Sequence, residues 1–334
     1  MIQAVMPIRK SMRRISLLVV SDQDIASTVQ GEALLARGDW NESLPVDGGR
    51  VWHHSSAPVH IWWRNVSHLF SDYLDEIYHQ ITNFEINEVL FLSRHVSASG
   101  MPSLTLHSIG VLGLEPIGEP AEHGGKKGHA VPPSPRFASL FRRLHRIAVK
   151  HGINNEFDIT LETTHHGPIL YSPSLFIEIG STEEHWGRVD AAEVWADVLS
   201  EELGISCPSS DIDSEQVVMV GIGGGHYAPR HRSVLLDSNA LVGHILANYS
   251  LKMHRPDGDW DPLSGPLPQG PWQHSIQVAI EQTRESFPEN KVVAYLDRKS
   301  FKGWERQSIR RYLESKNIEI FRLADFVNHD TISR

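Results

Sequence analysis

The chain has 334 residues, 40% hydrophobic and 22% charged, with a formal net charge of −10 at pH 7. That length fills one large domain or two smaller ones. No run approaches the ~18 apolar residues of a membrane span, and the acidic balance argues against a surface coated broadly for nucleic acid, though not against a local basic patch. The single cysteine, Cys207, excludes an internal disulfide and fits a reducing, cytoplasmic setting. Its ISCPSS context has no basic neighbour to make a catalytic thiol.

Residues 1–14 are basic, with Arg9, Lys10, Arg13 and Arg14 and no acid, and read as a frayed, solvated start rather than a presequence. Residues 17–21 predict an opening strand and 22–35 the helix after it, capped by Asp22 or Asp24. Residues 40–60 read as a polar connection. Apolar residues at helical spacing predict a core-facing helix over 66–81. Short strands follow at 88–92 and 104–107. Residues 118–135 hold four glycines, four prolines and the pair Lys126–Lys127, and predict a long loop, as do residues 254–272. Residues 137–149 form an amphipathic helix with a basic face.

Strands are expected at 158–163, 175–179, 217–220 and 292–296, with a last short one at 319–322. Helices are expected at 189–203, 236–251, 273–285 and 300–316. Strands alternating with helices predict an α/β fold with a mixed, largely parallel central sheet and flanking helices. No linker divides the chain, so residues 15–334 are read as one elaborated domain.

The segment VVMVGIGGGHYAPR is the most informative. An apolar run ends in Gly221, Gly223, Gly224 and Gly225, followed by His226, Tyr227 and Arg230. Such a loop can aim N–H groups at an anion or an oxyanion. It is not a nucleoside-triphosphate loop, and His226 stands where a dinucleotide fingerprint needs glycine. Three other strand ends carry polar crowds: Ser93-Arg94-His95, the Thr105-to-His107 strand, and Glu162 through His165-His166-Gly167-Pro168. Active sites of open α/β sheets collect at such ends.

Twenty histidines, roughly 6% of the chain, favour metal or acid–base work over packing. Adjacent histidines on a strand point to opposite faces, a rule that a turn at Gly167-Pro168 could relax. Glu178 lies inside an apolar strand and is either a ligand or base facing the site or a solvated edge residue. There is no GxSxG elbow and no HExxH motif. What remains is hydrolysis of an activated carbonyl or phosphate bond by a water that His, Glu or a metal orients.

These strings in order resemble the D-aminoacyl-tRNA deacylases of the archaeal and plant type across nearly the whole chain. The resemblance rests on Ser21-Asp22 with Asp24-Ile25-Ala26-Ser27, FLSRHVSASGMPSLTLHSIG, the Gly124-Gly125-Lys126 loop, LETTHHGP, FIEIGSTEEHW, GIGGGHYAPR and the Asp297-Arg298-Lys299-Ser300 element. It departs at Ser108-Ile109-Gly110, where the family has a Pro-Gly-Asn-like turn, and at Thr163, where alanine is more typical. The resemblance implies a fold like that of phosphorylases and peptidyl-tRNA hydrolases, a zinc requirement, and hydrolysis of the ester of D-aminoacyl-tRNA, that is, chiral proofreading.

The expected catalytic residues are His95, His107, His165, His166, Glu178 and His226, with His95, His166 and Glu162 as metal candidates. Gly223, Gly224 and Gly225 are expected to stabilise the oxyanion, and Tyr227 and Arg230 to contact substrate. Lys299, Lys302, Arg306 and Arg310 share a helix face at i, i+3, i+7 and i+11 and are expected to grip tRNA phosphates, extended by Lys126, Lys127, Arg142, Arg143 and Arg146. No membrane association and no obligatory protein partner are expected. A tRNA-binding module with a vestigial site and a phosphorylase-like nucleoside enzyme are the alternative readings.

Overall fold

The computed structural model describes residues 14–206 and 215–332. The basic stretch before Arg14 and Cys207 lie outside the described residues. The first half runs β1 (Arg14–Ser21), α1 (Ile25–Leu35), β2 (Trp40–Val46), β3 (Gly49–His54), β4 (Val59–Arg64), α2 (Leu74–Thr82), β5 (Glu85–Arg94), β6 (Ser103–His107), β7 (Gly110–Val111), β8 (His129–Ala130), α3 (Phe137–His151), β9 (Asp158–Ile159) and β10 (Ser174–Gly180). The second half runs α4 (Glu183–Trp186), α5 (Val189–Glu202), β11 (Val218–Ile222), α6 (Pro229–Asp237), β12 (Leu241–Leu246), α7 (Trp272–Ser286), β13 (Val292–Leu296), α8 (Gly303–Ser315), β14 (Ile320–Phe321) and α9 (Leu323–Ile332).

An eight-stranded mixed sheet has the order β2-β3-β4-β1-β5-β10-β6-β9, and a four-stranded sheet the order β12-β11-β13-β14. All ladders of the smaller sheet are parallel. In the larger sheet β1, β4, β5 and β10 run parallel, while β6 runs against β10. This is the α/β architecture expected from the alternation of elements.

The central strands are apolar throughout because both faces are covered, yet period-2 alternation still sorts them. Leu18 and Val20 of β1, Leu90 and Leu92 of β5, and Leu175, Ile177 and Ile179 of β10 enter the large core, which continues through β11, β12 and β13 of the second sheet. Ile15, Leu17, Val19, Val89, Phe91 and Phe176 face a smaller core with Leu74 and Tyr78 of α2. Glu178 follows Phe176 by two residues and shares this second face. On the opposite face, Glu88 of β5 shows how a buried carboxylate is satisfied. It accepts hydrogen bonds from Ser16 Oγ at 2.7 Å, Ser134 Oγ at 2.8 Å and Arg136 Nε at 2.7 Å.

Several elements differ from expectation. Residues 40–60 are not a connection but β2, β3 and the start of β4, turned at Asp47-Gly48 with φ of 45° and 74°. The helix read over 66–81 is a 3₁₀ turn at His68–Phe70 followed by the shorter α2. The strand read at 158–163 is regular only at β9, but the Thr160 and Glu162 N–H groups continue the pairing by donating to the Leu104 and Leu106 carbonyls of β6 at 3.0 Å each. The helix read over 236–251 is α6, a break and then β12, whose run LVGHIL is buried throughout. A short apolar run covered on both sides looks alike as helix or strand by periodicity. The charged helix read from 300 starts at Gly303, and α9 has no counterpart in the sequence reading.

The basic face of α3 is structural rather than free. Arg142 donates to the carbonyls of Leu235, Ser238 and Ala240, Arg143 pairs with Glu201 and Glu202, and Arg146 with Glu201. These three residues therefore do not extend a tRNA track.

Four buried histidines, on β4, α6, β12 and the 3₁₀ turn at His68–Phe70, bear on stability. Burial lowers His60 to about 3 and His68, His231 and His244 to about 4. An unfolded imidazole titrates near 6.5, at about that reference value. As pH falls from ~6.5 to ~4 the unfolded chain therefore binds more protons than the folded one, and stability falls with it. We predict that the denaturant midpoint declines as pH falls from ~6.5 to ~4, with net proton uptake on unfolding over that range. A midpoint that stays flat from pH 6.5 to 4.5 would contradict this.

Candidate active site

Side chains from four strand ends and one loop meet on the Glu178 face. In β10, Glu178 is in register with Ser93 of β5 and Thr105 of β6, and Phe176 with His107. Residues directly opposite share a face, so Glu178 and His107 lie on one side, and His107 stacks on Phe176 with ring centroids 5.2 Å apart. His95 follows β5, its N–H donating to the Ile179 carbonyl at 2.9 Å. Glu162, His165 and His166 come from the extended segment after β9. His226 comes from the glycine loop after β11, in the second sheet.

The neighbouring histidines do not alternate. His166 has a φ of +40°, in the left-handed region that residues with a Cβ seldom occupy. That twist brings the His165 and His166 rings to 4.5 Å, and His107 stands 3.9 Å from His165 and 4.7 Å from His166. The bend at Gly167-Pro168 thus lets both histidines enter one site.

Each of these three rings uses Nδ1 on a backbone carbonyl: His107 on Ser108 at 3.0 Å, His165 on Thr163 at 2.8 Å and His166 on Gly167 at 2.7 Å. An imidazole that donates from Nδ1 carries its lone pair on Nε2, the outer-shell arrangement that orients metal-bound histidines. One ligand atom from each lies within 4.8 Å of the others. Burial pushes His166 down to about 3, and burial with the neighbouring His107 holds His165 well below the usual value, so both lone pairs stay available at neutral pH. His107 Nε2 is buried with no hydrogen-bond partner among the described residues.

Beside this triad lies a second group. Glu162 is fully buried, 3.0 Å from His95 Nδ1, 2.7 Å from His226 Nε2 and 3.6 Å from His165 Nε2. Glu178 lies 3.4 Å from His95 and 3.8 Å from His107. Neither Glu162 oxygen has an aligned hydrogen bond despite these approaches. A tetrahedral zinc shell with bonds of about 2.0–2.1 Å has edges of about 3.3 Å, inside the spread of these separations. Lone pairs converging on one another, with orphaned carboxylate oxygens and an orphaned imidazole nitrogen, fit a bound cation.

The electrostatics agree. Burial raises both carboxyls, but flanking histidines more than reverse this and hold Glu162 well below, and Glu178 below, the ordinary range. Burial works against charge on His95, yet Glu162 and Glu178 raise it to about 11. Its Nε2 meets the Tyr227 hydroxyl at 2.9 Å, and that hydroxyl donates to Ser97 Oγ at 3.0 Å.

His95, His165, His166, Glu178 and His226 border a cleft of about 540 Å³. Its polar wall includes Asp24, Ser67, His68, Arg94 and His123, which the sequence reading did not select as site residues. Asp24 accepts the N–H groups of Ala26, Ser27 and Arg94, so one carboxylate caps α1 and fixes the end of β5.

The glycine loop differs in role from its expectation. Gly223 N–H donates to the Leu246 carbonyl at 2.7 Å and Gly224 N–H to Ser300 Oγ at 2.8 Å. Both donors are spent, so neither serves an oxyanion. A Cβ on Gly223 would lie 2.5 Å from the Phe301 ring, which accounts for glycine there. Ser300 Oγ donates to Asp297, and Arg230 pairs with Asp297 at 3.3 Å. The Asp297–Ser300 turn thus anchors the loop that carries His226, and Arg230 is first a partner of Asp297. Gly225 is exposed at the loop's tip.

The expected tRNA-binding face is also rearranged. Lys299 lies in a 3₁₀ turn and Lys302 precedes α8, so neither shares a helix face with Arg310. Arg306 donates to the Arg298 and Phe301 carbonyls. Lys127 pairs with Glu119 at 3.4 Å.

Residues 82–321 match the D-aminoacyl-tRNA deacylase family. The chain is 41% identical over 320 residues to a D-aminoacyl-tRNA deacylase of Arabidopsis thaliana, covering 93% of this chain and 99% of that one. It is 35% identical over 242 residues to one of Archaeoglobus fulgidus, covering 71% and 78%. A crystal structure of a conserved protein of unknown function superposes with a TM-score of 0.75 at 26% identity, over 95% of this chain and 98% of that one.

Proposed function

Because the chain belongs to the D-aminoacyl-tRNA deacylase family, a set of hydrolases acting on the aminoacyl-tRNA ester, we propose that the histidine–glutamate cluster is where this ester is cut. The protein hydrolyses D-aminoacyl-tRNA to free D-amino acid and tRNA. The observation that carries the site is the convergence of His95, His107, His165, His166 and His226 on the buried Glu162 and Glu178.

Zinc is the metal proposed for the cluster, with His107, His165 and His166 as its holders; when bound it supplies a Lewis acid and a water with a pKa near ~7. The chain's own groups do the rest. His226, one-third exposed at the cleft and 2.7 Å from Glu162, takes the proton of the attacking water while Glu162 orients the ring and balances its charge. With the Gly223 and Gly224 donors spent, the developing oxyanion takes the place of the Tyr227 hydroxyl at His95 Nε2–H, on a ring that two carboxylates hold protonated. The C–O bond to the ribose then breaks, and the proton on His226 passes to the leaving 3′-terminal oxygen. The substrate places this work in the cytoplasm, where charged tRNA is used; among the described residues no helix is long and apolar enough to cross a membrane.

The tRNA body is proposed to lie along the second sheet. A groove of about 730 Å³ between the β13–β14 edge and α8 is lined by four arginines, Arg230, Arg298, Arg310 and Arg322, against two acids, Glu314 and Glu319, the latter paired with Lys291. Arg298, Arg310 and Arg322 form no ion pair with the described residues, which leaves their charges for phosphate. Arg230 is four residues from His226, on the chain segment that links the groove to the cluster. On a protein of net charge −10, a concentrated patch supplies sequence-tolerant phosphate affinity.

Three outcomes are expected. Purified protein hydrolyses D-tyrosyl-tRNA at least about tenfold faster than matched L-tyrosyl-tRNA, a gap of about 1.4 kcal/mol or more in transition-state binding; equal rates would refute chiral selection. Protein prepared without added metal carries zinc by elemental analysis, and His107→Ala or His166→Ala lowers its content; full activity with no bound metal after exhaustive chelation would remove zinc from the reaction. Arg298→Glu with Arg310→Glu raises KM for charged tRNA by about tenfold or more and flattens its salt dependence, with kcat little changed. An unchanged KM and salt slope would move the tRNA elsewhere.

A further inference from the structure

We propose that an apolar pocket on the far side of His165 and His166 receives the side chain of the esterified amino acid, and that Leu112, Leu114 and Tyr249 set which side chains are accepted. The proposal rests on the deacylase reading and specifies how that site divides its substrate.

Two cavities share one wall. The polar cleft and a second pocket of about 260 Å³ are both bordered by His123, His165 and His166. The second pocket is walled mainly by Val111, Leu112, Leu114, Ala121 and Tyr249, with Thr164, Ser250 and Glu122 as its other polar lining. Leu112 is buried, whereas Leu114 at 49% and Tyr249 at 51% exposure stand at the rim. An aminoacyl ester is asymmetric about its carbonyl carbon: a ribose leaves on one side and the amino acid on the other. With the carbonyl at the shared histidine wall, its two ends must diverge. Ser67 and Arg94 suit the hydroxyl-rich ribose end, and the aliphatic and aromatic wall suits a side chain.

The pocket is built rather than incidental. Gly110 N–H reaches the His165 and His166 carbonyls at 3.3 and 3.0 Å, and Gly167 N–H the His123 carbonyl at 3.1 Å. Gly124, with φ of +72°, lies so close to the Leu69 carbonyl that a Cβ would come within 1.7 Å of its oxygen. Thr164 Oγ1 is tied to His244 Nδ1 at 3.0 Å. The loop holding His123 and Gly124 is therefore seated against the histidine segment, which fixes the wall the two cavities share. Burying a side chain of Leu or Phe size in such a wall is worth roughly ten- to hundredfold in kcat/KM.

The test compares kcat/KM for D-tyrosyl-, D-alanyl- and D-aspartyl-tRNA in the wild type, Leu114→Arg and Leu112→Trp. Leu114→Arg is chosen because its half-exposed position adds a charge with little strain on the fold; thermal unfolding checks both variants. The D-tyrosyl to D-alanyl ratio is expected to fall at least about tenfold in both, as an aromatic ring is obstructed more than a methyl. In Leu114→Arg the D-aspartyl to D-tyrosyl ratio is expected to rise at least about tenfold, a gain that general damage to the site cannot produce. Ratios within about twofold of wild type in both folded variants would overturn the pocket. Wild-type protein inert toward every D-ester would overturn the deacylase reading, and the pocket with it, and is told apart because no variant is needed to see it.

Discussion

Two carboxylates buried side by side set the terms for this structure. Glu162 and Glu178 are 0% and 3% exposed, and a bare carboxylate in such surroundings is costly unless a cation or hydrogen bonds satisfy it. Glu88, in the same sheet, is satisfied by two hydroxyls and an arginine. Glu162 and Glu178 instead face imidazoles, and the Nδ1 and Nε2 atoms that approach Glu162 leave its two oxygens without an aligned hydrogen bond. A site so arranged attracts positive charge, whether protons on His95 and His107 or a metal ion held by Nε2 lone pairs.

Much of the surrounding architecture serves that arrangement. Pairing of β10 with β5 on one side and β6 on the other puts Glu178, His107 and the approach to His95 on one face. The left-handed His166 departs from strand geometry, a local strain that is offset by setting two imidazoles on one target. Three backbone carbonyls fix the tautomers. The second sheet contributes through the glycine loop, which Ser300 and Asp297 fasten so that His226 reaches Glu162. The four-stranded sheet thus completes the site as well as offering the arginine groove.

The elements legible in the sequence are those whose signal is local: β1, β5, β6, β10, β11 and β13 as apolar runs, and α1, α3, α5 and α7 as helices. The β2–β3 hairpin was also locally encoded, by Asp47-Gly48 between strand-like segments, a strong hairpin signal; the polar composition of residues 40–46 obscured it. For β12, periodicity had no power to decide, because a strand buried on both faces lacks alternation. Lys299 and Lys302 were misplaced on a helix face because Asp297 caps a 3₁₀ turn there, and α8 begins only after Lys302.

The sequence by itself determined the alternation of elements, the polar crowding at strand ends and the candidate residues His95, His107, Glu162, His165, His166, Glu178 and His226. Those follow from residue chemistry and short-range pattern. Only the tertiary structure decided that Glu178 faces inward, that the glycine-loop donors at 223 and 224 are occupied, and that the α3 arginines are bound internally while Arg298, Arg310 and Arg322 share a groove. The physical reason is that burial leaves a periodic trace along the chain, whereas the partner of a charge or a lone pair is set by contacts distant in sequence. His95 and Tyr227, 132 residues apart, meet at 2.9 Å, and no local pattern records that meeting.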